Sequence, residues 1–288
     1  MSRTRQISLI TLAAVAGFFG LRALPDTHCA FLHNDHQPVI ANGVEFCGVN
    51  EEANYYSPKA LQFPVELEME LSPDGTGFLR LKDEDHRPIL DHQVAVSHTR
   101  KVHLHLRQLT GRSGYVHVHP VAQEDGRWTF SLPADYLAGN PGGDFQAFVD
   151  FVPQRRGRVM LAEASVTCAF RPTPGQPSAP RIRITHFSQS TEQAGKSALV
   201  RVTLAGPADA PLKLQPLMGS LGHAVVMGDP RANPGYAHMH PSLEGGEYEA
   251  SPTLSFRLRL PAQGEYDFWL NINDGTDQYV RHTLRVTP

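Results

Sequence analysis

Hydrophobic and polar residues alternate along most of the chain after residue 64. Residues 65–71 alternate strictly, which is typical of a strand with one face buried. Short runs of similar kind follow at 8–15-residue spacing, separated by turns that contain Gly, Pro and Asp. No sustained helical period occurs after the N-terminal segment. This pattern predicts an all-β protein built from sandwich-like sheets.

A proline-rich segment divides the predicted strands into two series. Residues 171–180 contain four prolines and predict a semi-rigid linker at 172–180. We therefore predict two tandem immunoglobulin/cupredoxin-like β-sandwich domains, at residues 64–171 and 181–288. Residues 26–63 lack clear periodicity and are predicted to form an irregular lead-in.

The N-terminal segment, residues 1–25, has the pattern of an export signal. Arg3 and Arg5 precede an apolar run over residues 7–21, and Pro25 follows it. The run is short for a membrane span, which needs about 20 residues. We expect an N-terminal helix that is either a signal peptide or a single membrane anchor. In both cases the body of the protein is expected outside the cytoplasm, in the periplasm or at the cell surface.

Cysteine placement adds two expectations. Export permits disulfides, and Cys29 and Cys47 could close one. Cys168 lies in a predicted strand, so we expect it to be an inert buried thiol.

Histidine content is the feature of the composition that says most about function. The formal net charge of −3, without a long basic run, gives no reason to expect nucleic-acid binding. The chain has 15 histidines, and five of them fall within the 22 residues 98–119. Three more (His28, His33 and His36) lie in the lead-in, where a metal-binding tail is an alternative to a disulfide-stapled segment.

One histidine motif occurs twice. Residues 115–120 read Tyr-Val-His-Val-His-Pro, and residues 236–241 read Tyr-Ala-His-Met-His-Pro, 121 positions later. The same offset places residues 145–151 on residues 266–272. Allowing one extra residue, His103 corresponds to His223, and His98 corresponds to Met218. Self-similarity at a fixed period indicates two related domains with histidines at matching positions.

The spacing of these histidines favours a metal site in each domain. In a strand, residues i and i+2 share a face, so each His-x-His pair projects to one side. A neighbouring strand brings a further histidine within reach. The predicted metal ligands are His98, His103, His117 and His119 in the first domain, and Met218, His223, His238 and His240 in the second. His105 is a weaker candidate because Val225 takes the corresponding position.

Copper is the predicted ion, with zinc as an alternative. Imidazole suits both metals, and thioether ligands shift the preference toward Cu(I). Met218, and nearby Met227 and Met239, supply thioethers in the second domain. No cysteine lies near either motif, so a blue-copper electron-transfer site is not expected.

Two other functions remain open. The repeated motif could be a structural signature of an adhesive or scaffolding module that binds a protein or polymer. A metal-dependent enzyme is less favoured, because no Asp or Glu sits at matching positions in both copies. The chain also lacks hydrolase, metalloprotease and nucleotide-binding motifs. We expect a non-enzymatic binding protein, whose expected partners are a metal ion and a protein of extracytoplasmic metal handling.

The motifs also resemble those of a known family. Residues 218–226 followed by residues 236–241 are similar to the paired "MGHAVI"-like and "HxHP" strands of exported bacterial β-sandwich proteins described as cupredoxin-like or heavy-metal-associated. Residues 98–104 and 117–120 resemble a second form of the same motif. The resemblance implies an exported, metal-handling module related to copper, and it implies no catalytic activity.

Overall fold

The computed structural model describes residues 3–22, 39–41, 44–46, 55–57, 65–109, 114–154, 159–173, 181–207, 211–244 and 251–288. The chain divides into two compact units, Met1–Pro38 and Val39–Pro288. The first contains the predicted N-terminal helix, α1 (Arg3–Arg22). No helix in the described ranges is both long enough and apolar enough to span a bilayer.

The second unit opens with a short hairpin and continues into two antiparallel sheets. The hairpin consists of β1 (Val39–Ala41) and β2 (Val44–Phe46). The strands of the two sheets are β3 (Glu66–Leu71), β4 (Thr76–Lys82), β5 (Val94–Ala95), β6 (Val102–Gln108), β7 (Tyr115–Val118), β8 (Val121–Ala122), β9 (Trp128–Ser131), β10 (Gly142–Pro153) and β11 (Met160–Ala169). A 3-10 turn (Asp91–Gln93) precedes β5, and α2 (Ala134–Leu137) precedes β10. The sheet orders are β3-β4-β9-β8 and β11-β10-β6-β7, with β5 paired to β10.

Two further antiparallel sheets repeat this arrangement. Their strands are β12 (Arg183–Gln189), β13 (Ser197–Ala205), β14 (His223–Met227), β15 (Tyr236–Met239), β16 (Ser242–Glu244), β17 (Thr253–Arg259), β18 (Gly264–Asn273) and β19 (Asp277–Val286). The orders are β12-β13-β17-β16 and β15-β14-β18-β19. The prediction of two tandem immunoglobulin-like β-sandwiches after an N-terminal helix is confirmed. We call the sandwich of β3–β11 the first domain and that of β12–β19 the second.

The two sandwiches stack into four layers. Each domain has its own apolar core between its two sheets. A third apolar cluster contains Tyr115 and Phe148 from the first domain, and Val225, Tyr236 and Trp269 from the second. The sheet containing β6 and the sheet containing β14 therefore pack face to face, and each is covered on both sides.

Alternation along the inner strands decides which residues meet the other domain. On β6, Leu104 and Leu106 enter the first domain's core, and His103 and His105 lie on the opposite face. A strand buried on both faces is normally apolar throughout. Here every second position carries a buried polar side chain instead, which places the histidines in the interface between the domains.

The described lead-in residues Tyr55 and Tyr56 contact the second domain. Tyr56 pairs with Tyr236 through two backbone hydrogen bonds of 3.0 and 2.9 Å, which extends the edge of β15. The neighbouring Tyr55 packs into the second domain's core, and its hydroxyl donates to the carbonyl oxygen of Asn233 at 2.6 Å. A segment that precedes the first domain in the sequence therefore packs against the second domain.

The structure describes one of the three cysteines, Cys168. Cys168 is a free, buried thiol in the first domain's core, as predicted, and burial raises its pKa. Cys29 and Cys47, the three lead-in histidines and most of the proline-rich linker lie outside the described residues.

Candidate metal centre

The first histidine group consists of His103, His117 and His119. One nitrogen from each ring lies within 4.8 Å of the other two, a spacing that could hold a metal ion. His103 Nδ1 and His117 Nε2 are 3.2 Å apart. The other ring nitrogen of His103 donates to the carbonyl oxygen of Ser97 at 3.1 Å, which fixes the ring. Histidines that ligate metals commonly donate their second N–H to a carbonyl in this way.

The second group, His223, His238 and His240, repeats this geometry. Its ligand atoms also lie within 4.8 Å of one another. His223 Nδ1 is 3.1 Å from His238 Nε2, and His223 Nε2 donates to the carbonyl oxygen of Leu217 at 2.9 Å. The repeated sequence motif therefore folds into two equivalent trihistidine groups, one in each domain.

A buried carboxylate of the first domain orients a histidine of the second. Asp150 Oδ2 accepts hydrogen bonds from His238 Nδ1 at 3.1 Å, His105 Nε2 at 3.0 Å and the Tyr236 hydroxyl at 3.1 Å. Burial alone would raise the pKa of Asp150, but its electrostatic interaction with His238 and the hydrogen bonds from His105 and His238 hold this pKa well below its usual range. His105 has no nitrogen left over, because its Nδ1 also contacts the Tyr115 hydroxyl at 2.9 Å.

These hydrogen bonds fix the proton positions in the second group. A carbonyl oxygen and an ionised carboxylate only accept, so His223 carries its proton on Nε2 and His238 carries its proton on Nδ1. The nitrogens that face each other at 3.1 Å then both present lone pairs. A cation between or beside the two nitrogens, either a shared proton or a metal ion, would relieve the repulsion between these lone pairs.

The third histidine of each group has a nitrogen without a partner. His119 Nε2 and His240 Nε2 are buried and make no hydrogen bond. A buried polar nitrogen left unpaired costs about 1–3 kcal/mol. Both atoms belong to histidines of the two converging groups. Coordination to a metal ion would satisfy both of them.

Burial favours the neutral form of five histidines in the two groups: His103, His117, His119, His223 and His240. It lowers the pKa of His119 to about 3 and the pKa of His223 to about 2. Burial also lowers the pKa of His103, and holds the pKa of His117 and of His240 well below the ordinary value, with repulsion from neighbouring histidines adding to the effect. Neutral imidazole is the form that binds a metal.

The stability of the metal-free protein should therefore depend steeply on pH. Unfolded histidines bind protons below about pH 6.5, whereas these folded histidines stay neutral to much lower pH. The free energy of unfolding should fall as the pH drops from 7.5 to 5, by up to about 1.4 kcal/mol per pH unit for each histidine. Urea unfolding across this range measures it.

A matched pair of variants isolates the source of that pH dependence. His119→Gln should flatten the slope, while His92→Gln, a change at an exposed side chain, should leave it as it was. A free energy of unfolding that stays constant from pH 7.5 to 5 would contradict the neutral, buried state of the two groups.

His98 and Met218, both predicted as metal ligands, occupy equivalent turns of the two domains. Each has a left-handed backbone, with φ of 50° and 51°, inside a tight turn that follows Ser97 or Leu217. The exposed His98 ring lies 3.9 Å from the ring of His240, measured between centroids, so it contacts the second domain's group. The sequence analysis grouped His98 with the histidines of the first domain. Its ring centroid is 6.3 Å from that of His103, which is farther than from that of His240.

The other methionines do not join the site. Met239 lies in the second domain's own core, because it alternates with His238 and His240. Met227 belongs to the apolar cluster between the domains, two strand positions beyond Val225. Of the methionines named from the sequence, Met218 is therefore the one that remains a candidate ligand.

Asp150 is the functional residue that the sequence analysis missed. Its signal was present: a carboxylate in the middle of the apolar strand β10, aligned with Asn271 in the repeat. In the structure Asp150 pairs with His103 in register, and Asn271 pairs with His223. A buried acid at one of two equivalent positions indicates a role that only one domain supplies.

Comparisons with known proteins give little beyond the fold. The model of a family described as a domain of unknown function (DUF8832) matches residues 182–288, the second domain. No curated protein matches the chain. Among solved structures, the chain is similar to latent PorU from Porphyromonas gingivalis (14% identity, 85% of this chain, 23% of that chain, TM-score 0.27).

Two further similar structures are the ectodomain fragment D1–D4 of ICAM-5 (14% identity, 81% and 55% coverage, TM-score 0.24) and fibronectin(III)-like modules of Clostridium thermocellum CbhA (9% identity, 76% and 92% coverage, TM-score 0.20). The chain spans less than two thirds of the PorU and ICAM-5 chains. These likenesses are too remote to indicate a function.

Proposed function

We propose that this protein binds copper outside the cytoplasm through the two trihistidine groups. The observation that carries the proposal is the pair of buried, unpartnered nitrogens, His119 Nε2 and His240 Nε2, on histidines that each converge with two further histidines of the same domain. Three converging neutral imidazoles form a ligand set for a divalent metal or Cu(I). The geometry alone shows that each group could hold a metal ion.

Copper is proposed over zinc on the chemistry of the ligands. Among divalent first-row metals, copper binds nitrogen ligands most tightly. Export, expected from the N-terminal segment, and the resemblance to heavy-metal-associated proteins support the same ion. The thioether contribution rests on Met218 alone, because Met227 and Met239 lie in apolar clusters.

The protein is proposed to bind and hand over metal without catalysing a reaction. Asp150 lies beside His238, where a general base would be sought. Its carboxylate, however, is buried and already accepts three hydrogen bonds from protein groups. Its geometry fits a carboxylate that orients a ligand histidine better than a base that meets a substrate.

A structural role for the motif is the second candidate. The hydrogen bonds from His103 to Ser97 O and from His223 to Leu217 O, and the satisfied ring of His105, would also suit a polar network that holds two adhesive modules together. That role, however, leaves His119 Nε2 and His240 Nε2 without partners.

The experiment that separates the two candidates is metal titration of the full-length chain and of His119→Ala, His240→Ala and the double variant. Calorimetry with Cu(I), Cu(II) and Zn(II), with elemental analysis, measures binding. We expect tight copper binding by the parent, weakened at least about 100-fold in the double variant, a loss larger than that typical of an outer-sphere change.

The stability of the metal-free variants is the control. Because these changes remove buried unpartnered nitrogens, the metal-free double variant should melt at about the parent's temperature or higher. Loss of stability together with unchanged metal content would make the histidines structural. His186→Ala, a change at an exposed histidine of the second domain, should alter neither measurement.

A further inference from the structure

The two trihistidine groups lie against each other across the domain interface. Within the groups, ring centroids are 4.5–5.4 Å apart. Across the interface, His103 and His238 are 5.7 Å apart, and His117 and His223 are 6.0 Å apart. The distances between ring centroids across the interface are therefore only slightly longer than the distances within each group.

We propose that the two groups form one dinuclear metal centre, which binds a small anion between its two metal ions. This inference rests on the proposed metal binding and adds the number of ions, their coupling and a second ligand. Each group offers three protein nitrogens, so a bound metal keeps an open coordination position. An anion such as hydroxide or a halide can occupy the open positions of two neighbouring metals at once.

Charge balance supplies the reason for an anion. Histidine ligates a metal as neutral imidazole, so the six side chains would bring no charge to the centre, and the carboxylate that reaches them is Asp150. Two Cu(II) ions would bring four positive charges to a largely buried face that holds one carboxylate. Uncompensated charge in such surroundings is costly. A bound anion reduces the excess charge where it is greatest.

The surroundings of the cluster allow such an anion to enter. The exposed ring of His98 stands beside His240 at the solvent side of the cluster. The same tight turn carries the exposed Arg100, whose backbone pairs with Ser97. This edge of the cluster is therefore open to solvent and carries a cation, which favours the approach of an anion.

The centre requires both domains. The second domain's group depends on the first domain twice, through the Asp150 carboxylate on His238 and through the His98 ring on His240. The equivalent positions of the second domain hold Asn271 and Met218. The two halves are therefore not interchangeable, and the centre is complete only in the docked chain.

The test is electron paramagnetic resonance of the full-length protein loaded with Cu(II) alone, then with azide added as the probe anion. Two Cu(II) ions joined by a shared anion couple their spins. The integrated signal should therefore fall well below one spin per bound copper at full loading, and azide should change the spectrum. His119→Ala should bind a single Cu(II) with a full, uncoupled signal.

The outcomes separate this inference from the proposed function. Two bound coppers with a full spin count would leave copper binding intact and overturn the dinuclear centre. A coupled spectrum that does not respond to azide would overturn the bridging anion. No copper bound by the parent protein would instead overturn the proposed function. His186→Ala serves as the matched control and should reproduce the parent's spectrum.

Discussion

Replacing Asp150 with asparagine should weaken metal binding by the histidine group of the other domain. The carboxylate oxygen accepts hydrogen bonds from three donors, one of which is the Nδ1–H of His238. Loss of an outer-sphere carboxylate typically lowers metal affinity about 10–100-fold. We therefore expect the affinity of the group of His223, His238 and His240 to fall by this factor, although Asp150 belongs to the first domain.

The same change should also destabilise the metal-free protein. Asparagine keeps the size of the side chain, and its amide oxygen can take the place of Oδ2, but it accepts the three hydrogen bonds without a charge. A hydrogen bond to a charged group contributes about 1 kcal/mol more than a neutral one, so the loss of charge at three bonds should lower the free energy of unfolding by about 3 kcal/mol. Calorimetric copper titration and urea unfolding measure the two effects.

Asp144→Asn is the matched control for this prediction. Asp144 lies on the same strand, β10, but its side chain is exposed and accepts a hydrogen bond from Thr167. Neither affinity nor stability should change by more than a small amount. If Asp150→Asn left copper affinity at the second group unaltered, the proposed link between the domains would be wrong.

Replacing Phe148 with alanine should separate the unfolding of the two domains. Phe148 is 0% exposed, and its ring lies 4.5 Å from that of Tyr236 in the other domain. It belongs to the apolar cluster in which residues of both domains meet. Removing a buried phenylalanine side chain costs about 3–5 kcal/mol. Here the loss falls on the contact that joins the two sandwiches.

Scanning calorimetry would measure this effect. The parent should unfold with coupled domains, and Phe148→Ala should give two resolved transitions. Phe256→Ala is the matched control, because Phe256 is equally buried but lies in the second domain's own core. It should destabilise the second domain by a similar amount while leaving the contact between the domains intact. A single transition in Phe148→Ala, at the parent's temperature, would show that this cluster does not join the domains.

The apolar pattern and the repeat accounted for much of what the structure contains. Strict alternation predicted the β-strands, and the period of two placed His117 with His119, and His238 with His240, on common faces. The same rule, applied to Met239, would have assigned it to the opposite, core-facing side. Internal similarity predicted the match of His103 with His223, which the equivalent hydrogen bonds of the two rings bear out.

The docking of the two sandwiches is what the sequence alone did not supply. Strand periodicity tells which residues share a face, and says nothing of what covers that face. The hydrogen bond from His238 to Asp150 joins residues 88 positions apart in different domains, and the contact of His98 with His240 crosses the same boundary. Such contacts depend on how two complete sheets pack together. The sequence therefore determined two equivalent histidine faces, and only the tertiary structure decided that these faces meet in one cluster.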